Sequence, residues 1–323
     1  MNSLLNAIAS TPDFALPYAL AALGLIICER AGVLSLGAEG LMLVGALAGI
    51  GAQLVLGQGE TGAALGAVGP ALALLIAMLA ASAVSCLFAL MVIVLRVNQV
   101  IAGLALVFFC QGLTGLVGTL AGWTNQATPG IGTLALWPLA ALPGVGGLFD
   151  QNALVWAVLP LVAGVVWFLE RSAGGLRLRA VGENPQAADA AGISVPAWRF
   201  AAVLAGSALV GLAGAYLSVV STKLWIAGMT GGRGWIAVGL VIFARWSPWK
   251  ALAGALLFGF IEALIPQMAA AGVPLPQYFV QMTPYAVTLA VMVWVALAQR
   301  GGALAGSGEP GALGVAFVRE ERR

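Results

Sequence analysis

Glu39 stands between Gly37 and Gly40 in an otherwise apolar run, and Glu262 interrupts another. A charge at bilayer depth is costly, so one that persists there usually serves a path, a gate or a buried pair. Two readings of Glu39 stand side by side: a residue of a polar pathway at a broken helix, or structural pairing with a backbone end or a cation. For Glu262 a buried hydrogen-bonded pair is expected. Asn98 and Gln99 follow Arg96 at the head of a long apolar stretch, where they would cap a helix or form an inner gate. Gln111 and Thr114 are one turn apart and fit a pathway face. Arg233, among glycines, would anchor at an interface or meet an external protein.

Much chemistry is excluded by what is missing. There is no histidine, and the only lysines are Lys223 and Lys250. A serine–histidine hydrolase and a histidine-ligated metal site cannot be built, and no span carries paired aspartates. Neither lysine closes a G-x-x-x-x-G-K-[ST] phosphate loop. If ATP drives this molecule, another polypeptide hydrolyses it, and no cofactor or metal is expected in this chain. Cys28, Cys86 and Cys110 are scattered through apolar stretches, where small packing residues are expected. Nothing suggests nucleic acid as a partner.

The elements that position these residues follow from composition. Of 323 residues 61% are hydrophobic and 8% charged, against roughly 25% charged in soluble domains. Mean hydropathy is +1.02. Such a surface belongs in lipid. No charge occurs in 61–95, 97–149, 200–222 or 263–299, and each run holds at least one span of about 20 residues. The expected fold is all-α: a polytopic transmembrane bundle of about nine spans (eight to ten), with broken or re-entrant helices. The spans fall near 13–28, 33–56, 70–95, 98–121, 152–169, 199–220, 234–245, 251–267 and 279–298, the seventh being short. The first helix, preceded by no positive charge, is expected to be retained. Residues 1–299 would form the membrane domain, with an extracellular loop at 122–151 and an inner loop at 170–199, and 300–323 a polar cytoplasmic tail. Gly45-x-x-x-Gly49 and Gly118-x-x-x-Gly122 are expected helix-packing faces.

With nine alternating spans, twelve of the 14 Lys and Arg residues fall on one side, leaving Lys223 and Arg233 on the other. The positive-inside bias makes the first side cytoplasmic, with the N-terminus outside and the C-terminus inside. Loop 170–199 then lies inside, and it is punctuated for a short helix. Asn184 is a good N-cap, Pro185 suits the first helical position, and Gly192 supplies a left-handed stop. Alanines 187, 188, 190 and 191 give it a small-residue face, with Ala188 expected to be exposed there. Either this helix inserts into a groove on another protein, or it is an ordinary capped helix on the membrane surface.

The string GLRLRAVGENPQAADAAGI, residues 175–193, closely resembles the cytoplasmic coupling segment of permeases in the family of branched-chain amino acid, ribose and nucleoside ABC importers. Glu29-Arg-Ala-Gly-Val-Leu-Ser-Leu-Gly-Ala-Glu-Gly-Leu-Met-Leu-Val-Gly45 resembles that family's first broken helix. Asn98-Gln-Val-Ile-Ala-Gly103, Met229-Thr-Gly-Gly-Arg-Gly-Trp-Ile-Ala237 and Ile242-Phe-Ala-Arg-Trp246 match as well, and the shorter permease of nucleoside-type importers is the nearest type. The resemblance implies a permease subunit in a bacterial inner membrane that passes a small polar solute, with a nucleoside favoured. Its implied partners are an ABC ATPase subunit that uses the ATP, a second and different permease chain, and an extracytoplasmic substrate-binding lipoprotein, all set in membrane lipid. Gly182, Glu183, Asn184, Pro185, Ala188, Asp189 and Gly192 would form the ATPase contact, and Glu39, Asn98, Gln99 and Gln111 are the pathway candidates. The alternative is an ion-coupled secondary transporter, for which Glu39 and Glu262 are the available carboxylates.

Overall fold

A computed structural model describes residues 2–57, 68–135, 146–270 and 308–319, with isolated positions between them. Helix α1 (Asn2–Arg30) leads into α2 (Ala38–Leu56), α3 (Val68–Ala89) and α4 (Gln99–Leu120). Two short strands, β1 (Thr133–Ala135) and β2 (Asp150–Asn152), precede α5 (Ala153–Arg171), α6 (Ala173–Glu183) and α7 (Pro185–Ala190). Then come α8 (Val195–Ala215), α9 (Arg233–Ala244) and α10 (Pro248–Ala270). Single π turns extend α3 through Val94 and α8 through Ser221. Among the described residues seven helices are long and apolar enough to cross a membrane, and α9, with twelve residues, is too short. The chain is thus a multi-pass helical membrane protein. Eight of the nine expected segments coincide with these helices, and the ninth, 279–298, lies outside the described residues apart from isolated positions.

Three helices make the centre. The apolar windows of α1, α2 and α8 are 72–83% buried inside the chain, whereas those of α3, α4, α5 and α10 are 22–33% buried and form its outer layer. Glycines let the central helices touch. A Cβ on Gly24 of α1 would stand 2.3 Å from Gly206 O of α8, and one on Gly45 of α2 would stand 2.0 Å from Gly211 O. Small residues are the usual means of close approach in lipid, where apolar burial gives little net drive. Gly49 completes the expected face against Ala215, while Gly118 packs on Trp225 and Gly122 turns the chain at φ +67°.

The loop between α4 and α5 does not hang free. β1 pairs antiparallel with β2, Asn125 N donates to Trp225 O at 2.9 Å, and Thr128 N donates to Lys223 O at 2.9 Å. Asn152 caps α5 and also donates to the Tyr216 hydroxyl at 2.7 Å, which in turn donates to Asp13. This cap closes one end of the bundle. At the opposite end, α6, α7, the turn after α9 and residues 308–319 gather around the end of α1.

Candidate coupling surface and translocation path

Two helices begin inside the bundle rather than at its surface. The turn after α9 abuts the end of α1: Trp246 Nε1 donates to Glu29 Oε2 at 2.5 Å, and Arg30 Nη2 donates to Trp246 O at 3.2 Å. The other end of α9 meets Glu39. Twelve residues at 1.5 Å each make α9 roughly 18 Å long, about three-fifths of the hydrocarbon thickness. Residues 31–37 must therefore climb that distance without helix before α2 starts. The backbone breaks at Gly32, φ +83°, and the Leu34 amide is held by Gln99 Oε1 at 2.6 Å.

Glu39 joins the two buried starts. Its Oε1 accepts from Thr230 Oγ1 at 2.6 Å and from Gly232 N at 2.8 Å, and its Oε2 accepts from Gly234 N at 2.7 Å. These amides belong to the first turn of α9, which has no helical acceptor for them. The helix dipole favours an anion there. Of the two readings, this geometry is pairing with a backbone end. Arg233 follows directly, and its position differs from that expected. It lies about half-way through the bundle, where Nη2 meets Glu262 Oε1 at 2.7 Å, the side chains being 23% and 14% exposed. Glycine-rich flanks made this stretch read as an outer loop; it is the entry to a half-helix. Of the two carboxylates that could have coupled an ion, Glu39 has both oxygens hydrogen-bonded and Glu262 has Oε1 paired with Arg233.

The remaining pathway candidates separate by face. Asn98 caps α4, its Oδ1 accepting from Val100 N at 2.9 Å and Ile101 N at 3.2 Å. Gln99 is buried and pins the extended segment 33–35. Thr114 turns inward onto Cys110 O. Gln111 turns outward, beside exposed Phe108, and a Cβ on Gly112 or Gly115 would meet nothing within 4 Å. Cys110 touches Gly40, so Gln111 presents its amide at the depth of the α2 break, on a face this chain leaves open.

Helix α7 has the punctuation anticipated from sequence, and a second capped helix, α6, which the sequence reading did not separate, precedes it in the same loop. Ser172 caps α6 through Gly175 N at 2.8 Å, and Asn184 caps α7 through Ala187 N at 2.9 Å. Gly192, φ +81°, ends the turn, with Ile193 N returning to Ala188 O at 3.0 Å. The exposed face is not the expected one. Ala188 is 3% exposed and packs with Val181, Val195 and Phe317. Pro185 is buried, and so is Gly182, whose Cβ would lie 2.1 Å from Arg30 O. Glu183, Asn184 and Gly192 are exposed, together with Gln186, Ala187 and Ala190. Six residues make fewer than two turns, so one apolar contact decides which side is free, and an alanine run carries no marker of that choice. Asp189 pairs with Arg319 at 2.9 Å and Glu183 accepts from Gly311 N at 3.1 Å. Arg319 and Gly311 belong to a tail read from sequence only as polar; Phe317 in that tail was the one available signal.

Residues 9–296 match the family described as branched-chain amino acid transport system, permease component. A Haloferax volcanii protein, provisionally named a glucose ABC transporter permease, is 42% identical over 267 residues, 81% of this chain and 76% of its own. The guanosine ABC transporter permease protein NupQ of Bacillus subtilis is 30% identical over 98% of this chain and 97% of its own. The nucleoside ABC transporter permease protein NupC of Lactococcus lactis is 29% identical over 90% and 92%.

Proposed function

The chain belongs to the branched-chain amino acid transport permease family, and on that premise we propose that it passes nucleosides inward through a path it shares with a second, different permease chain. It is the membrane-spanning transport subunit of an ABC importer. The observation that carries the coupling part of this reading is α7, a capped helix presenting Gln186, Ala187 and Ala190 at the end of the bundle where Arg30, Arg199, Arg245 and Arg319 also lie. That end is cytoplasmic in our reading. An ABC ATPase subunit binds there and uses the ATP, since this chain has no phosphate loop of its own, and a substrate-binding lipoprotein docks on the opposite, capped end. ATP-driven closure of the ATPases displaces α7 and switches the path between outward- and inward-facing states. The open face of α4 around Gln111 lines that path. A neutral amide at mid-depth suits an uncharged, hydroxyl-bearing solute and gives no binding advantage to an ion.

Relatives named for guanosine or nucleosides align along nearly the whole chain, while the one named for glucose is more identical over less of it. The test is competition for uptake by the reconstituted importer, with nucleosides, free bases, pentoses and hexoses as competitors. Nucleosides should compete and hexoses should not; competition by glucose alone would overturn the substrate. Uptake driven by an ion gradient without ATP would overturn the class.

A further inference from the structure

Residues 308–319 fold back onto the α6–α7 segment. Ala312 N donates to Gly182 O at 2.9 Å, Gly314 N reaches Gly32 O at 3.3 Å, and Arg199 Nη1 donates to Val315 O at 2.9 Å. Phe317 then completes the cluster of Val181, Ala188 and Val195 beneath α7, and Arg319 pairs with Asp189. One short segment thus bridges the loop after α1, the end of α6, the buried face of α7 and the first turns of α8. We infer that this segment is a strap that fastens α7 to the transmembrane body. Through it, displacement of α7 is passed to α1 and α8 and is not absorbed in the turns on either side. The inference rests on α7 being the coupling element.

The need for such a part follows from the geometry of α7. It is six residues long, bounded by the turns at Asn184 and Gly192, and only Pro185 and Ala188 of it are buried. A lever held by two side chains between two turns is compliant; a third body packed on its inner face stiffens it. The strap touches α7 only on the side of Ala188 and Asp189, leaving Gln186, Ala187 and Ala190 exposed. It therefore supports the docking face and does not cover it, which separates a strap from an inhibitory plug. Phe317 and the backbone bonds carry the attachment. The Arg319 side chain is 77% exposed, and pairs so placed contribute little.

The test uses the complete importer in proteoliposomes, with variants truncated after Gly308, Phe317→Ala or Arg319→Glu. Copurified ATPase and solute moved per ATP hydrolysed are both measured. The truncation should keep the ATPase bound while solute per ATP falls about tenfold, a usual size for coupling between sites. Phe317→Ala should lie between, and Arg319→Glu near wild type. Wild-type stoichiometry in both the truncation and Phe317→Ala would overturn the strap. Faster uptake after truncation would make the segment a plug, and loss of bound ATPase would make it a docking part; either overturns the inference. If the truncated chain fails to insert, Phe317→Ala decides alone. Ala187→Arg and Ala190→Arg are the separate controls on α7: if both, and a folded Ala188→Arg, leave the ATPase bound, the coupling reading itself fails, whatever the tail does.

Discussion

Glu39 offers three donors, two buried and one half-buried, an acceptor they find nowhere else among the described residues. Its replacement by alanine would strand Thr230 Oγ1 and the amides of Gly232 and Gly234, at about 1–3 kcal/mol for each buried group left unmade. Glu39→Gln keeps one carbonyl acceptor and should cost less. The expected result is a fall in the melting temperature of the detergent-purified protein, large for Glu39→Ala and smaller for Glu39→Gln. Wild-type melting with lost uptake would instead return Glu39 to a pathway role. The importance of Glu39 was legible in sequence because a carboxylate between glycines in an apolar run is expensive. Its partners were not, since they lie more than 190 positions away and two are backbone amides. Arg233 shows the same limit: the charge was visible, and its depth depended on Glu262, 29 residues later on another helix.

At the scale of the element, the capping signals of α7 were legible because they are local. The orientation of the helix was not, because contacts with Val195 and the tail decide it. That orientation determines which substitutions report on docking. Ala188→Arg would force a long cation into a packed cluster, combining overpacking of about 1–3 kcal/mol with burial of an unpaired charge at several kcal/mol more. It should impair folding of the segment, so a loss of uptake would say nothing about docking. Ala187→Arg and Ala190→Arg alter exposed positions and should leave expression and melting near wild type. Each should weaken ATPase copurification by at least about tenfold, the equivalent of roughly 1.4 kcal/mol. If Ala187→Arg and Ala190→Arg copurify normally while Ala188→Arg remains folded and fails, the docking face has been assigned to the wrong side.

For the molecule as a whole, the bilayer made the fold readable, since lipid leaves a spanning chain few ways to satisfy its backbone other than helices. Runs free of charge therefore located the helices, but they could not show that α2 and α9 start inside the bundle, because both breaks are built from glycines and long-range capping. The structure groups α7, the turn after α9 and residues 308–319 at one end, with the β1–β2 cap at the other. Which end faces the cytoplasm is a matter of charge. Arg30, Arg96, Arg199, Arg245 and Arg319 lie at the α7 end, and moving Arg233 to mid-depth leaves Lys223 as the described cation at the capped end. The bias thus becomes steeper than the twelve to two counted from sequence, and it favours the α7 end inside. Single cysteines at Ala173 on α6 and Leu134 on β1, both exposed, test this in intact cells, with Cys28, Cys86 and Cys110 replaced by alanine. Leu134→Cys should react with an impermeant thiol reagent, and Ala173→Cys should react only after the membrane is permeabilised. The reverse pattern would place α7 outside, where no ATPase could reach it, and would remove the basis for ATP-driven import through this chain.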